Sequence, residues 1–150
     1  MHTRKEMTRA VFESTGFIDL DMIAAIEETG LHVNSIRLSG GLARLNLISQ
    51  IKADITGREL HVLSEFETTA TGAAMMALYG QGRFGSLKEA AEQFVQIRMV
   101  IKPDRRNHVK YQKLYQLYKM TYHTLKPLYS KRMELVETLY HKKRTKIENL

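Results

Sequence analysis

Between residues 33 and 63 the sequence passes from strand to glycine turn to helix to strand, an order few folds accommodate. Val33-Asn34-Ser35-Ile36-Arg37-Leu38 has the size and residue types of a strand, and Ser39-Gly40-Gly41 ends it. Helical spacing then runs from Leu42 to Ile55 through Leu47, Ile48 and Ile51, and Thr56-Gly57 closes it. A second strand follows at Glu59-Leu60-His61-Val62-Leu63. Strand, crossover helix and strand make a βαβ unit with parallel strands, so the chain belongs to the α/β class, with a sheet flanked by helices.

The flanking segments are helical by spacing. From Thr3 to about Thr29, apolar residues recur at Met7, Val11, Ile18, Met22 and Ile26, with Ala10 and Phe17 beside them, and Gly30 supplies a stop. After the second strand, Thr68 to Ala77 is dense in small residues that would let a helix pack closely on a sheet. Gly80, Gly82 and Gly85 mark a loop, and Ser86-Leu87-Lys88-Glu89 reads as a capping box opening another helix. From Asn107 to Leu125 a long helix carries Tyr111, Tyr115, Tyr118 and Tyr122 in a stripe; Pro127 is expected to break or kink it, and a basic tail runs from His141 to Lys146. Only two strands are identifiable, too few for a sheet that all these helices would cover, so the chain reads as one that enters a fold midway. Domain boundaries are expected at 1–130 for the α/β part and 131–150 for a basic helical tail.

Composition narrows the classes. With 43% hydrophobic residues in 150, the chain can bury a core, and with no Cys it has neither disulfides nor thiolate chemistry. No apolar run approaches the roughly 18 residues of a membrane span, and the first residues lack the apolar core of a secretory signal. A cytoplasmic address is the expectation. Of the +7 net charge, residues 1–100 contribute −2, from ten Lys and Arg against twelve Asp and Glu; residues 101–150 contribute +9, from thirteen against four.

Four segments carry a family resemblance. Leu38-Ser39-Gly40-Gly41-Leu42-Ala43-Arg44, running on through Gln50-Ile51-Lys52-Ala53-Asp54-Ile55-Thr56-Gly57-Arg58, resembles the adenosine motif of the FGGY carbohydrate kinases. Glu67-Thr68-Thr69-Ala70-Thr71-Gly72-Ala73-Ala74 is similar to the family's glutamate-led GAA helix. Pro103, Asn107, Tyr111, Leu114-Tyr115, Tyr118, Tyr122 and Leu125-Lys126 resemble the closing helix of its xylulose and gluconate kinase branches, and Glu6 to Glu13 the second half of its C-terminal signature. In order and at family spacing, they cover about residues 2 to 130.

The resemblance implies a ribonuclease H-like, actin-like ATPase domain and phosphoryl transfer from ATP, with Mg²⁺, to a hydroxyl of a sugar or polyol, a xylulose-like substrate being favoured. It implies that Gly40 and Gly41, with Leu42, Arg44 and Leu45, form the nucleotide side of the cleft. A Gly-Gly turn between strand and helix lets a ligand approach the backbone and aims helix amides at it. In the family the catalytic base, sugar pocket and phosphate loops lie upstream of these motifs. This chain is therefore expected to be the C-terminal portion of such a kinase, to contain no catalytic or metal-binding residue, and to be inactive alone, its partner being the missing N-terminal portion or a second copy. Three positions depart from the family: Leu45 stands where Ser or Asn is common and cannot hydrogen-bond adenine, Ile48 replaces a frequent Trp, and Thr71 replaces a common Leu.

Other readings are weaker. Asp54 could be a base, but its place at a helix end favours a structural role; Glu13 and Glu67 could form an acid/base pair, but packing or hydrogen bonding is favoured. The histidines at 2, 32, 61, 108, 123 and 141 show no metal-binding spacing. The Tyr stripe with Lys110, Lys113, Lys119 and Lys126 could stack on bases, yet an amphipathic packing helix explains it. The alternative function is a non-catalytic domain that binds nucleic acid or an acidic partner through its basic C-terminal helix and tail.

Overall fold

The computed structural model describes residues 2–147, with side chains over 2–140. Two compact units emerge, Met1–Gln112 and Lys113–Leu150. Helix α1 (Arg4–Glu27) starts at a full capping box: the Thr3 side chain accepts from the first-turn backbone while the Thr3 N–H donates to Glu6 Oε2 at 2.6 Å. Those bonds from Thr3 hold the Glu6 carboxyl below its ordinary value.

The apolar stripe read from the sequence is not the buried one. Gly16, Phe17 and Ile23 face inward, whereas Met7, Val11, Ile18, Met22 and Ile26 are exposed, from 42% to 66%. Spacing alone detects an apolar face but cannot tell which of two faces meets the core. Here Gly16 decides: a Cβ there would come within 2.6 Å of Ile55 Cδ1, so only that side of α1 lets the two backbones approach.

Strand β1 (Ser35–Leu38) pairs in parallel with β2 (Glu59–Leu63), Ser35 opposite Glu59, as the βαβ reading requires. A third strand, β3 (Ile97–Ile101), lies antiparallel on the other side of β2, giving the order β1-β2-β3. This corrects the two-strand reading. Leu87, Ala90, Ala91, Phe94, Ile97 and Ile101 continue at helical spacing, so periodicity runs through the helix into the strand without a seam. Leu60, Val62 and Ile101 form a buried cluster with Ala43 and Ala53, and Ile36, Leu38, Met99 and Phe66 pack against it.

The crossover helix also starts later than its spacing predicts. Gly41–Arg44 is a 3₁₀ turn, Leu45 is extended, and α2 runs Asn46–Thr56. It lies between sheet and α1, so residues 48–49 and 51–56 are all buried. Among them Lys52 reaches Asp19 of α1 at 2.5 Å.

Helix α3 (Thr68–Gly80) buries none of its residues, so the close packing on the sheet expected of its small side chains is not present within this unit; it meets α4 (Leu87–Phe94) instead. The α4 cap is half a box: Ser86 Oγ accepts from Glu89 N at 3.1 Å, but the Glu89 carboxylate takes Gly85 N–H at 2.8 Å. Helix α5 (Arg105–Ile147) is opened by Asp104, whose Oδ1 accepts from Arg106 N at 2.7 Å. Pro127 sits inside it and does not end it. The missing N–H costs one ladder bond, which a helix with many turns on both sides can bear. The described part of the second unit is this helix from Lys113 onward, where Tyr115 and Tyr118 stack with centroids 6.3 Å apart. The side chains of the basic tail, His141–Lys146, lie outside the described residues. Among the described residues no helix is long and apolar enough to cross a membrane.

Candidate nucleotide site

Because β1 and β2 are parallel, their carboxyl ends lie side by side, and they present two neighbouring segments: Ser39–Gly41 and Ser64–Glu67. Open sheets bind ligands at such ends. Gly40 adopts φ +84°, ψ 177°, a conformation that L side chains rarely enter, and its carbonyl accepts from Ala43 N at 3.0 Å to begin the 3₁₀ turn. Ala43 is buried beneath the turn. Above Gly40 and Gly41 there is open space: a Cβ on either would meet nothing within 4 Å. Leu42 and Leu45 are both about half exposed beside that space, and Leu45 gives α2 no side-chain cap. This is a shelf of bare backbone with apolar neighbours, which suits a nucleotide's sugar and base edge.

Arg44 turns toward the second segment. Its guanidinium lies 4.9 Å from the Phe66 ring centre and 3.7 Å from Glu67 Oε1, and Arg98 of β3 reaches the same ring at 5.2 Å. Phe66 and Arg98 were not identified from sequence. Lone residues far apart in the chain leave no periodic signal; only the register of β2 with β3 brings them together.

The other charged candidates have structural partners. Asp54 is buried, with Oδ1 accepting from Gln50 Nε2 and Asp104 N, both at 2.8 Å, and Oδ2 from Asn107 Nδ2 at 3.0 Å. It fastens the end of α2 to the start of α5, the structural role expected of it. Glu13 and Glu67 do not pair. Glu13 accepts from Arg9 Nε at 2.7 Å and from Tyr111 OH at 2.8 Å, in a latch between α1 and α5, whereas Glu67 faces Arg44. Burial, then the bond to Glu13, pushes the Tyr111 phenol above its ordinary value, and the bonds to Tyr111 and Glu13 raise Arg9. His108 is committed to the Asp54 carbonyl through Nδ1 at 2.9 Å and to Gln112 through Nε2 at 3.0 Å. Among the described residues no three His, Asp or Glu side chains gather into a metal site.

Two grooves escaped the sequence reading. One, of 460 Å³, opens between α1 and α2, with Phe12, Leu47 and Ile51 on its floor and Arg4 and Lys5 at its edge. The other, of 430 Å³, runs along α3 past Glu65, Glu67 and Phe94.

Known proteins share this fold. Residues 1–80 match the C-terminal domain of the FGGY family of carbohydrate kinases. The xylulose kinase of Staphylococcus epidermidis is 32% identical over 127 residues, which is 85% of this chain and 26% of that protein. The xylulose kinase of Bacillus subtilis is 36% identical with the same coverage. Among solved structures, ligand-bound xylulose kinase from Lactobacillus acidophilus superposes with a TM-score of 0.77 at 27% identity, over 87% of this chain and 26% of that one. The chain thus spans about a quarter of the length of these relatives. It belongs to the FGGY family of carbohydrate kinases, matching that family's C-terminal domain.

Proposed function

We propose that this chain forms the nucleotide side of an ATP-dependent carbohydrate kinase active site, as part of a ribonuclease H-like domain over residues 1–130, with 131–150 a helical tail. The observation that carries the reading is the Gly40-Gly41 turn at the ends of parallel strands, with open space above both glycines, in a chain of this family. Bound there, ATP supplies the phosphoryl group that passes to a sugar or polyol hydroxyl, with Mg²⁺ as its companion ion. The task of this chain is to hold the other end of the nucleotide: Gly40 and Gly41 admit it to the backbone, and Leu42, Arg44 and Leu45 line its approach. Phosphoryl transfer depends on positioning and on stabilising spread charge, so a chain holding only the nucleotide end does not perform it.

The base, sugar pocket and phosphate loops would come from polypeptide beyond these 150 residues. The outward stripe of α1 and the free edge of β1 are the surfaces suited to receive it, since the matched residues make up only 26% of the Staphylococcus epidermidis relative. A xylulose-like substrate is favoured because proteins named xylulose kinase match over 85% of the chain. A cytoplasmic location fits the lack of Cys.

Titration of the ¹⁵N-labelled chain with MgADP tests the reading. Saturable shifts centred on the Gly40 and Gly41 amides, lost in Gly40→Val, are expected; no shift at millimolar nucleotide would overturn it.

A further inference from the structure

We infer that Arg44 is a positioning residue of this site: it ties the Gly40-Gly41 turn to the segment that opens α3, and does not itself meet phosphate. The inference rests on the nucleotide reading and gives one of its residues a specific task.

Apart from backbone bonds within itself and to the start of α2, the turn has few other fastenings. Gly40 and Gly41 touch nothing above them, Leu42 and Leu45 are exposed, and buried Ala43 pins the turn from below only. The neighbouring segment is well anchored. Ser64 N donates to Gln96 O at 2.9 Å, Glu67 N to Glu65 Oε1 at 2.8 Å, and Thr71 N to Glu67 O at 3.0 Å, while Phe66 packs on the core. Arg44 joins the two by laying its guanidinium against Phe66 and facing Glu67. A flat cation held by a ring and a carboxylate has two of its directions fixed, which a point charge on a flexible stem would not.

Charge argues against direct phosphate contact. Glu67 and Glu65 both stand in the segment that Arg44 faces, and two carboxylates there cancel the pull on phosphate that an unpaired arginine would exert. Arg98 shares the Phe66 ring and offsets part of that charge, which keeps the cluster near neutral.

A double-mutant cycle on the full chain decides between the roles, with affinities for MgADP and for adenosine read by NMR. Arg44→Ala and Glu67→Ala should each weaken both ligands by the same factor, about 3- to 5-fold given an exposed ion pair backed by a ring contact. The double variant should be no weaker than either single one, and Arg44→Lys should recover part of the loss. Loss of MgADP but not adenosine in Arg44→Ala, with Glu67→Ala neutral or tighter, would show that Arg44 binds phosphate and would overturn the inference. The tie is also read without ligand. The ¹H–¹⁵N heteronuclear effect at Gly40 and Gly41 should fall in both single variants while thermal unfolding stays unchanged, and values equal to those of the parent chain would overturn it. Failure of the parent chain to bind either ligand would instead overturn the nucleotide reading itself.

Discussion

At Gly40 and Gly57 a positive φ serves different ends, with ψ extended at 177° in the first and left-handed helical at 17° in the second. Gly57 sits at φ +66° against the His108 ring, where a Cβ would lie 2.5 Å from Cε1, so a side chain there meets both strain and collision. Gly40, at φ +84°, has open space and would meet strain alone. Gly57→Ala should therefore lose about 2–4 kcal/mol of stability and Gly40→Ala about 1–3 kcal/mol from strain alone, read from urea unfolding. A loss of about 1 kcal/mol or less in Gly57→Ala would mean that the His108 ring moves aside freely. The glycines themselves were legible as turn signals. What separated them was not, because the ring over Gly57 comes from a residue 51 positions later. Asp54 was legible in the same partial way: its helix-end position argued for structure over chemistry, while its partners Asp104 and Asn107 were visible only in the fold.

Elements were legible where their spacing was unambiguous and misread where it served two structures. Strand β2 occupies the residues its pattern indicates, Glu59–Leu63. Strand β3 was hidden because its apolar residues keep the spacing of the helix before it, and the inward face of α1 was mistaken because the helix is apolar on two sides. Its true inward side is fixed by the approach at Gly16 and by the latch to α5. That latch makes a pH-dependent prediction. The Tyr111 phenol titrates higher in the folded chain than its ordinary value of 10.0, so the folded state holds this proton more tightly than the unfolded one. Its contribution is full below pH 10 and is lost as pH rises from there through the folded value. Urea midpoints should fall more steeply above pH 10 in the parent chain than in Tyr111→Phe; parallel curves would show that the latch carries no such linkage.

The whole molecule pairs a well-packed α/β unit with an exposed apolar stripe on α1. Its basic excess is confined to residues 101–150, so the +7 charge says little about the turn at residues 40–41. Supplied with the part of Bacillus subtilis xylulose kinase that its own match leaves out, the chain should restore ATP-dependent phosphorylation of D-xylulose, while either piece alone should show none. Phosphorylation by the isolated chain would sink this division of labour. The latch of Arg9, Glu13 and Tyr111 also has a temporal consequence. It joins residues 98 to 102 positions apart, whereas Gly16 and Ile55 are only 39 apart, so α1 can dock on α2 well before the latch has its partner. Loops of the longer span close late, which makes the latch the last of these α1 contacts to form.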